Sequence, residues 1–246
     1  MRANRCMLIT VFSAILVFFL TWQTAIAGPP EKPGNPGVPG LLAEIAELEA
    51  IIQEYEGYAP VPQTGQTICY TDVGQEIDCA DTGQDGDFQA GVEWPVPRFT
   101  DNGDGTVTDN LTGLVWLKNA NCDGQKNWYD ALTFCNTLSH MSCGLSDSSA
   151  AGDWRLPNAN ELHSLIHYGV HDPALPDTSG MGQWSEGDPF TGVLCAVTGC
   201  AYGRYWSSTS TAGSPASGMF VYLGGGWVER TAKDAEFSVW PVRGGN

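Results

Sequence analysis

The chain of 246 residues sets 28 acidic side chains against 11 basic ones, a formal net charge of −17. A field of that sign repels nucleic acid and anionic lipid, and it disfavours polyanionic glycans where no local basic patch outweighs it. Setting aside a leader and a linker, the length fits one domain of ordinary size.

The chain begins with an export signal. Arg2 and Arg5 precede an apolar run from Met7 to Leu20, and Ala25-Ile26-Ala27 supplies a small-residue cleavage pattern. Residues 1–27 therefore read as a secretory signal peptide. An uncleaved anchor is the rival reading, because the run approaches the ~20 residues that span a bilayer. Cys6 lies before the run and not at its end, which argues against a lipoprotein. Cleavage leaves nothing to insert in a membrane, and the loss of two positive charges takes the net charge from −17 to −19.

Residues 28–40 read GPP-EKP-GNP-GVP-G, a collagen-like register broken once, at Glu31. The stretch is too short to hold a triple helix alone and is at least an extended linker. Over residues 41–57 the pattern changes. Leu41, Ile45, Leu48, Ile52 and Tyr55 alternate spacings of four and three, with Glu44, Glu47, Glu49 and Glu54 off the stripe. That is a short heptad seam, which predicts self-association; a lone amphipathic helix packed on the domain is the alternative.

A turn-rich, β-like region starts at Thr64. DNGDGTVTDN at 101–110, between Arg98-Phe99-Thr100 and Gly113-Leu114-Val115-Trp116, predicts a hairpin-like meander. Asp101, Asn102, Asp104 and Asp109 invite a calcium reading, since hard cations need several oxygens on a tight loop. Gly103 and Gly105 occupy places where an EF-hand needs ligands, so turns whose side chains bond their own backbone explain the same residues. No other cofactor is indicated.

Seven cysteines follow the signal, and an exported chain oxidises them in pairs. Cys69 with Cys79 and Cys195 with Cys200 close short turn-rich segments. Trp128, Ala131, Leu132, Cys135 and Leu138 share one helical face, which makes Cys135 a core residue and leaves Cys122 for Cys143. Farther on, Pro157, Asn158 and Glu161 form a helix start with a capping box, and Gly169 is a stop. His163, His167 and His171 recur every four residues but flank the apolar stripe Leu162, Leu165, Ile166, and are read as solvated neighbours, not zinc ligands. YWSST at 205–209 and VWPVRGG at 239–245 alternate as half-buried strands do, with Trp206 and Trp240 in the core. Trp184 in the polar GQWSEGD loop and Trp227 after Gly224-Gly225-Gly226 are the surface candidates, since rings among Ser, Thr and Gly stack on sugar faces. The candidate ligand contacts are Trp184, Glu186, Arg204, Tyr205, Trp227 and Arg230.

Together, GQDGDFQAGV, RFTDNGDGTVTDNLTGLVW, NANC, CGLSD, GDWRLPNANEL, YWSSTS and VWPVRGG make residues 64–246 resemble the Lcl C-terminal domain family, named after a collagen-like bacterial surface adhesin. The resemblance implies an α+β, C-type-lectin-like domain: two helices, a twisted, mostly antiparallel sheet and long displayed loops. It also implies a homotrimer on a bacterial surface, in the periplasm or outside the cell, that binds glycans or a surface or matrix protein. Sulfated-glycan binding needs basic residues, and the domain holds only eight Lys and Arg; lectin sugar-calcium signatures are absent as well. A structural or assembly role in the envelope, through a protein partner, is the alternative. Formylglycine-generating oxidases share the architecture and an Arg-Leu-Pro helix start, but they use a cysteine pair near the C-terminus, and no Cys follows Cys200. The sequence therefore favours a recognition protein over an enzyme.

Overall fold

The computed structural model describes residues 40–43, 45–47, 61–195 and 203–244, in two units, Met1–Tyr58 and Ala59–Asn246. In the first unit, residues 40–43 and 45–47 are helical. The expected signal, the linker up to residue 39, and Leu48, Ile52 and Tyr55 of the expected seam lie outside the described residues. In the second unit strands outnumber helices, an α+β arrangement.

The unit opens with a two-stranded ribbon, β1 (Cys69–Tyr70) and β2 (Glu76–Ile77), followed by the single turn α1 (Asp85–Phe88). Four strand residues cannot bury enough surface to hold themselves, so the Cys69–Cys79 disulfide, Cα atoms 5.1 Å apart, staples the ribbon.

The meander expected between Arg98 and Trp116 forms as β3 (Phe99–Asp101), β4 (Thr106–Asp109) and β5 (Val115–Leu117), all antiparallel. Its turns are made by side chains bonding nearby backbone. Asp101 Oδ1 accepts from Gly103 N at 3.0 Å, Asp104 Oδ1 from Thr106 N at 3.0 Å, and Asp109 Oδ1 from Leu111 N at 3.0 Å. β9 (Val242–Arg243) completes this sheet beside β5, which carries the C-terminal segment into the middle of the unit.

Two helices follow. α2 (Trp128–Thr137) is capped by Asn127, whose side chain accepts from Tyr129 N and Asp130 N, and it buries Trp128, Ala131 and Cys135 against Leu156, Trp206 and Phe220. α3 (Ala159–His163) starts with the expected capping box, reinforced by a two-pronged Arg155–Glu161 pair at 2.7 and 2.6 Å. It ends well short of Gly169. Ser164 Oγ takes the Glu161 carbonyl at 2.7 Å and Arg98 Nη2 takes the Ser164 carbonyl at 2.9 Å. Leu165, Ile166 and His167 are then buried in succession, which one face of a helix cannot provide.

The second large sheet is β6 (Arg204–Thr211), β7 (Ser214–Tyr222) and β8 (Trp227–Ala232) in that order. β6 lies between two cores. Alternation sends Tyr205 to the larger cluster and Trp206 to the smaller one beneath α2. The larger core centres on fully buried Trp240, whose ring meets Trp116, Phe190 and Tyr205 at centroid distances of 5.6, 4.8 and 5.4 Å. Its indole N–H donates to Leu117 O at 2.8 Å.

Candidate ligand-binding surface

The β7–β8 hairpin presents an exposed aromatic ring at its turn. Tyr222 and Trp227 are cross-strand partners at its end, and their rings stack at 5.4 Å with an interplanar angle of 30°. Trp227 remains 58% exposed. The turn between them is glycine for steric reasons: a Cβ at Gly225 would lie 3.0 Å from Trp227 Cε2, and one at Gly226 would lie 2.5 Å from Ile166 Cγ2 and 3.3 Å from Tyr168 Cε1. Gly226 also has φ +76°, a conformation costly for residues with a Cβ. Tyr168, 44% exposed, thus packs directly against this turn. His163 Nε2 lies 2.8 Å from Tyr168 Oη and 3.1 Å from the Gly226 carbonyl oxygen, which fixes the position of both.

Tyr168 also lines a groove of about 470 Å³, with Tyr70, Trp94 and Met181 among its walls and His167 in its lining. Trp94 is anchored by its indole N–H to Gln63 O at 2.8 Å and by the Arg98 guanidinium 4.3 Å from its ring centroid. His167 is only 4% exposed and meets Trp94 edge-on at 5.0 Å. Burial disfavours the imidazolium, and the nearby Arg98 charge adds to the effect, so the His167 pKa lies below its ordinary value. Nδ1 accepts from Gly169 N at 3.0 Å. The expectation of a solvated His167 is therefore corrected: with α3 ended, the chain turns this ring inward.

The proposed ligand contacts fall in different places. Trp184 is not displayed on its polar loop. It is 5% exposed, because its indole N–H finds Phe190 O at 3.1 Å and its ring completes the larger core, while Ser185 and Glu186 stay outside. Glu186 is exposed, with Oε1 accepting from Gly192 N at 2.9 Å. Tyr205 is fully buried, its hydroxyl accepting from Leu194 N at 3.0 Å, and burial pushes its pKa up; it does not reach a ligand at the surface. Arg204, Tyr222 and Trp227 are successive register partners and share one face of the sheet, whereas alternation places Arg230 on the other. Lys233 is spent elsewhere, 3.9 Å from the Trp128 ring centroid and donating to Ser210 Oγ at 2.7 Å. These three cations do not form one basic patch.

Most side-chain oxygens of the calcium candidates have partners within the protein. Both Asp109 carboxylate oxygens meet Arg98, Asp101 Oδ2 binds Lys118 at 2.6 Å, Asp101 Oδ1 and Asp104 Oδ1 make the turns described above, and Asn102 Oδ1 accepts from Thr108 Oγ1 at 3.3 Å. The Lys118 hydrogen bond, followed by that from the Gly103 N–H, holds the Asp101 carboxyl below its ordinary pKa. Among the described residues no three His, Cys, Asp or Glu side chains gather as a metal site would require. Cys122 pairs with Cys143, Cα atoms 5.6 Å apart, and Cys135 is free and buried. Cys195 is disulfide-bonded; its expected partner Cys200 lies outside the described residues.

A family model, Lcl C-terminal domain, matches residues 105–243, more than half of the chain. The chain belongs to the Lcl C-terminal domain family. No curated protein matches it. Within the Lcl C-terminal domain fall α2, α3, both cores' tryptophans, the Tyr222–Trp227 stack, Tyr168 and Met181. Tyr70 and Trp94 precede the matched region, so the groove joins family and N-terminal residues. Sequence reasoning missed Tyr70, Trp94, Tyr168 and Met181. The only local signals were an aromatic before Pro95 and another before Gly169, both loop punctuation.

Proposed function

We propose that this chain is an exported, surface-associated, adhesin-like recognition protein whose Lcl C-terminal domain binds neutral or weakly charged glycans. The observation that carries this reading is Trp227, well exposed and stacked on Tyr222 at the end of the β7–β8 hairpin. A preordered indole offers a flat apolar face to a sugar ring at little entropic cost. The separation of Arg204 from Arg230, the engagement of Lys233 and a charge of −17 all favour uncharged ligands over sulfated ones.

We read the α+β arrangement as C-type-lectin-like, and the 41–57 seam as the device that makes a homotrimer. The role is binding, not catalysis, and calls for no cofactor; an envelope assembly protein with a protein partner is the competing role. Among the described residues no helix is long and apolar enough to cross a membrane. A glycan array probed with the purified signal-less chain tests the proposal. Retention on neutral glycans supports it, and an empty array together with capture of an envelope protein favours the assembly role.

A further inference from the structure

We infer that the groove beside Tyr168 is a second sugar subsite, continuous with the Trp227 platform, so that the domain grips a length of neutral glycan chain and not a single terminal sugar. The inference rests on the glycan reading above and extends it to residues outside the family match.

The link is Tyr168, which lines the groove and also packs on Gly226, the residue before Trp227. His163 ties the Tyr168 hydroxyl and the Gly226 carbonyl together, so groove and platform are held in one fixed relation. The lining chemistry matches an uncharged sugar. Tyr70, Trp94 and Tyr168 supply rings, Gln66 an amide that both donates and accepts, and Met181 an adaptable apolar wall. Glu93 is the one carboxylate in the lining, and no Lys or Arg lines the groove. At about 470 Å³ the space falls within the range of small-molecule sites. Two subsites on one ligand add through effective concentration, so affinity for a chain spanning both exceeds that for a piece filling either.

The test is calorimetry of the signal-less chain with neutral hexasaccharides of the cello, xylo, manno and chito series and their disaccharides. The expected result is a hexasaccharide that binds about tenfold or more tighter than its disaccharide. Tyr70→Ala with Met181→Glu, both at exposed positions, then removes that gain, while Tyr70→Phe keeps it. Trp94 is spared because it holds Gln63 and Arg98 in place. Equal affinity for long and short chains, or a double variant that binds the hexasaccharide like wild type while Trp227→Ala weakens every sugar, overturns the groove subsite and leaves the platform standing. Absence of sugar binding, or indifference of every sugar to Trp227→Ala, overturns the platform reading and this inference with it.

Discussion

Arg98 and Asp109 form a fully buried, two-pronged ion pair, Nε to Oδ1 at 2.7 Å and Nη2 to Oδ2 at 2.9 Å. It ties the first and second strands of the meander together, and Arg98 reaches on to the Ser164 carbonyl at the end of α3 and the face of Trp94. The groove wall is thus built on this pair. Removing one partner strands the other charge without water, so Asp109→Ala should cost about 3–5 kcal/mol of unfolding free energy, measured by urea denaturation. Asp104→Ala, which loses only turn bonds at a partly exposed site, should cost about 1 kcal/mol. Because both Asp109 oxygens are engaged by Arg98, calcium should leave the midpoint of the wild-type protein unmoved.

Cys135 faces the smaller core from α2, and burial pushes its thiol pKa up, beyond the range in which thiolate forms. Iodoacetamide should therefore label it slowly in the native protein and at once in denaturant. Peptide mapping of the oxidised protein should show Cys122 joined to Cys143; a bridge to Cys135 contradicts the assignment.

Stability should fall with acid in two windows. The unfolded chain takes up a proton at His167 near the ordinary value of 6.5, while the buried native ring resists it. Unfolding therefore gains protons below pH 6.5, and stability drops from there until the lower native pKa is reached. Glu161 behaves in the carboxylate sense. Burial alone would raise its pKa, but the Arg155 fork and the Asn158 N–H outweigh it, so its contribution is complete above the ordinary 4.5 and is lost as pH falls through the lower native value. His167→Gln should flatten the fall that begins below pH 6.5 and leave the loss in the carboxylate range in place, as read from urea midpoints across pH.

Much of the architecture was legible because its determinants are local. The Asp-Gly turns of the meander, the Asn158–Glu161 box and the α2 face each fit within a dozen residues, and turn chemistry or period fixed them. Trp184 and His167 were misplaced for different reasons: polar neighbours reveal that a backbone segment is exposed, not where one ring turns, and the helical period used for His167 stops at His163. Phe190 O draws Trp184 inward, and the early end of α3 draws His167 inward. The groove left no sequence trace, since its walls come from residues near 70, 94, 168 and 181 and meet only in the folded chain.

The proposed trimer rests on a different part of the molecule, the 41–57 seam. If the seam through Ile45 and Ile52 makes the trimer, Ile45→Asp with Ile52→Asp should convert the signal-less protein to monomer in light scattering, since charges at seam positions are costly to desolvate. An unchanged mass assigns oligomerisation elsewhere.

The most direct test of the central claim is a titration of the wild-type and Trp227→Ala proteins with the best neutral glycan from the array, at low and high salt. Ring stacking is little screened by ions, whereas binding to sulfated chains weakens as salt rises. The account predicts wild-type affinity nearly independent of salt and a loss of about tenfold or more, ~1.4 kcal/mol, in the variant. Binding strongest to a sulfated glycan and abolished by salt, with Trp227→Ala unaffected, would contradict it.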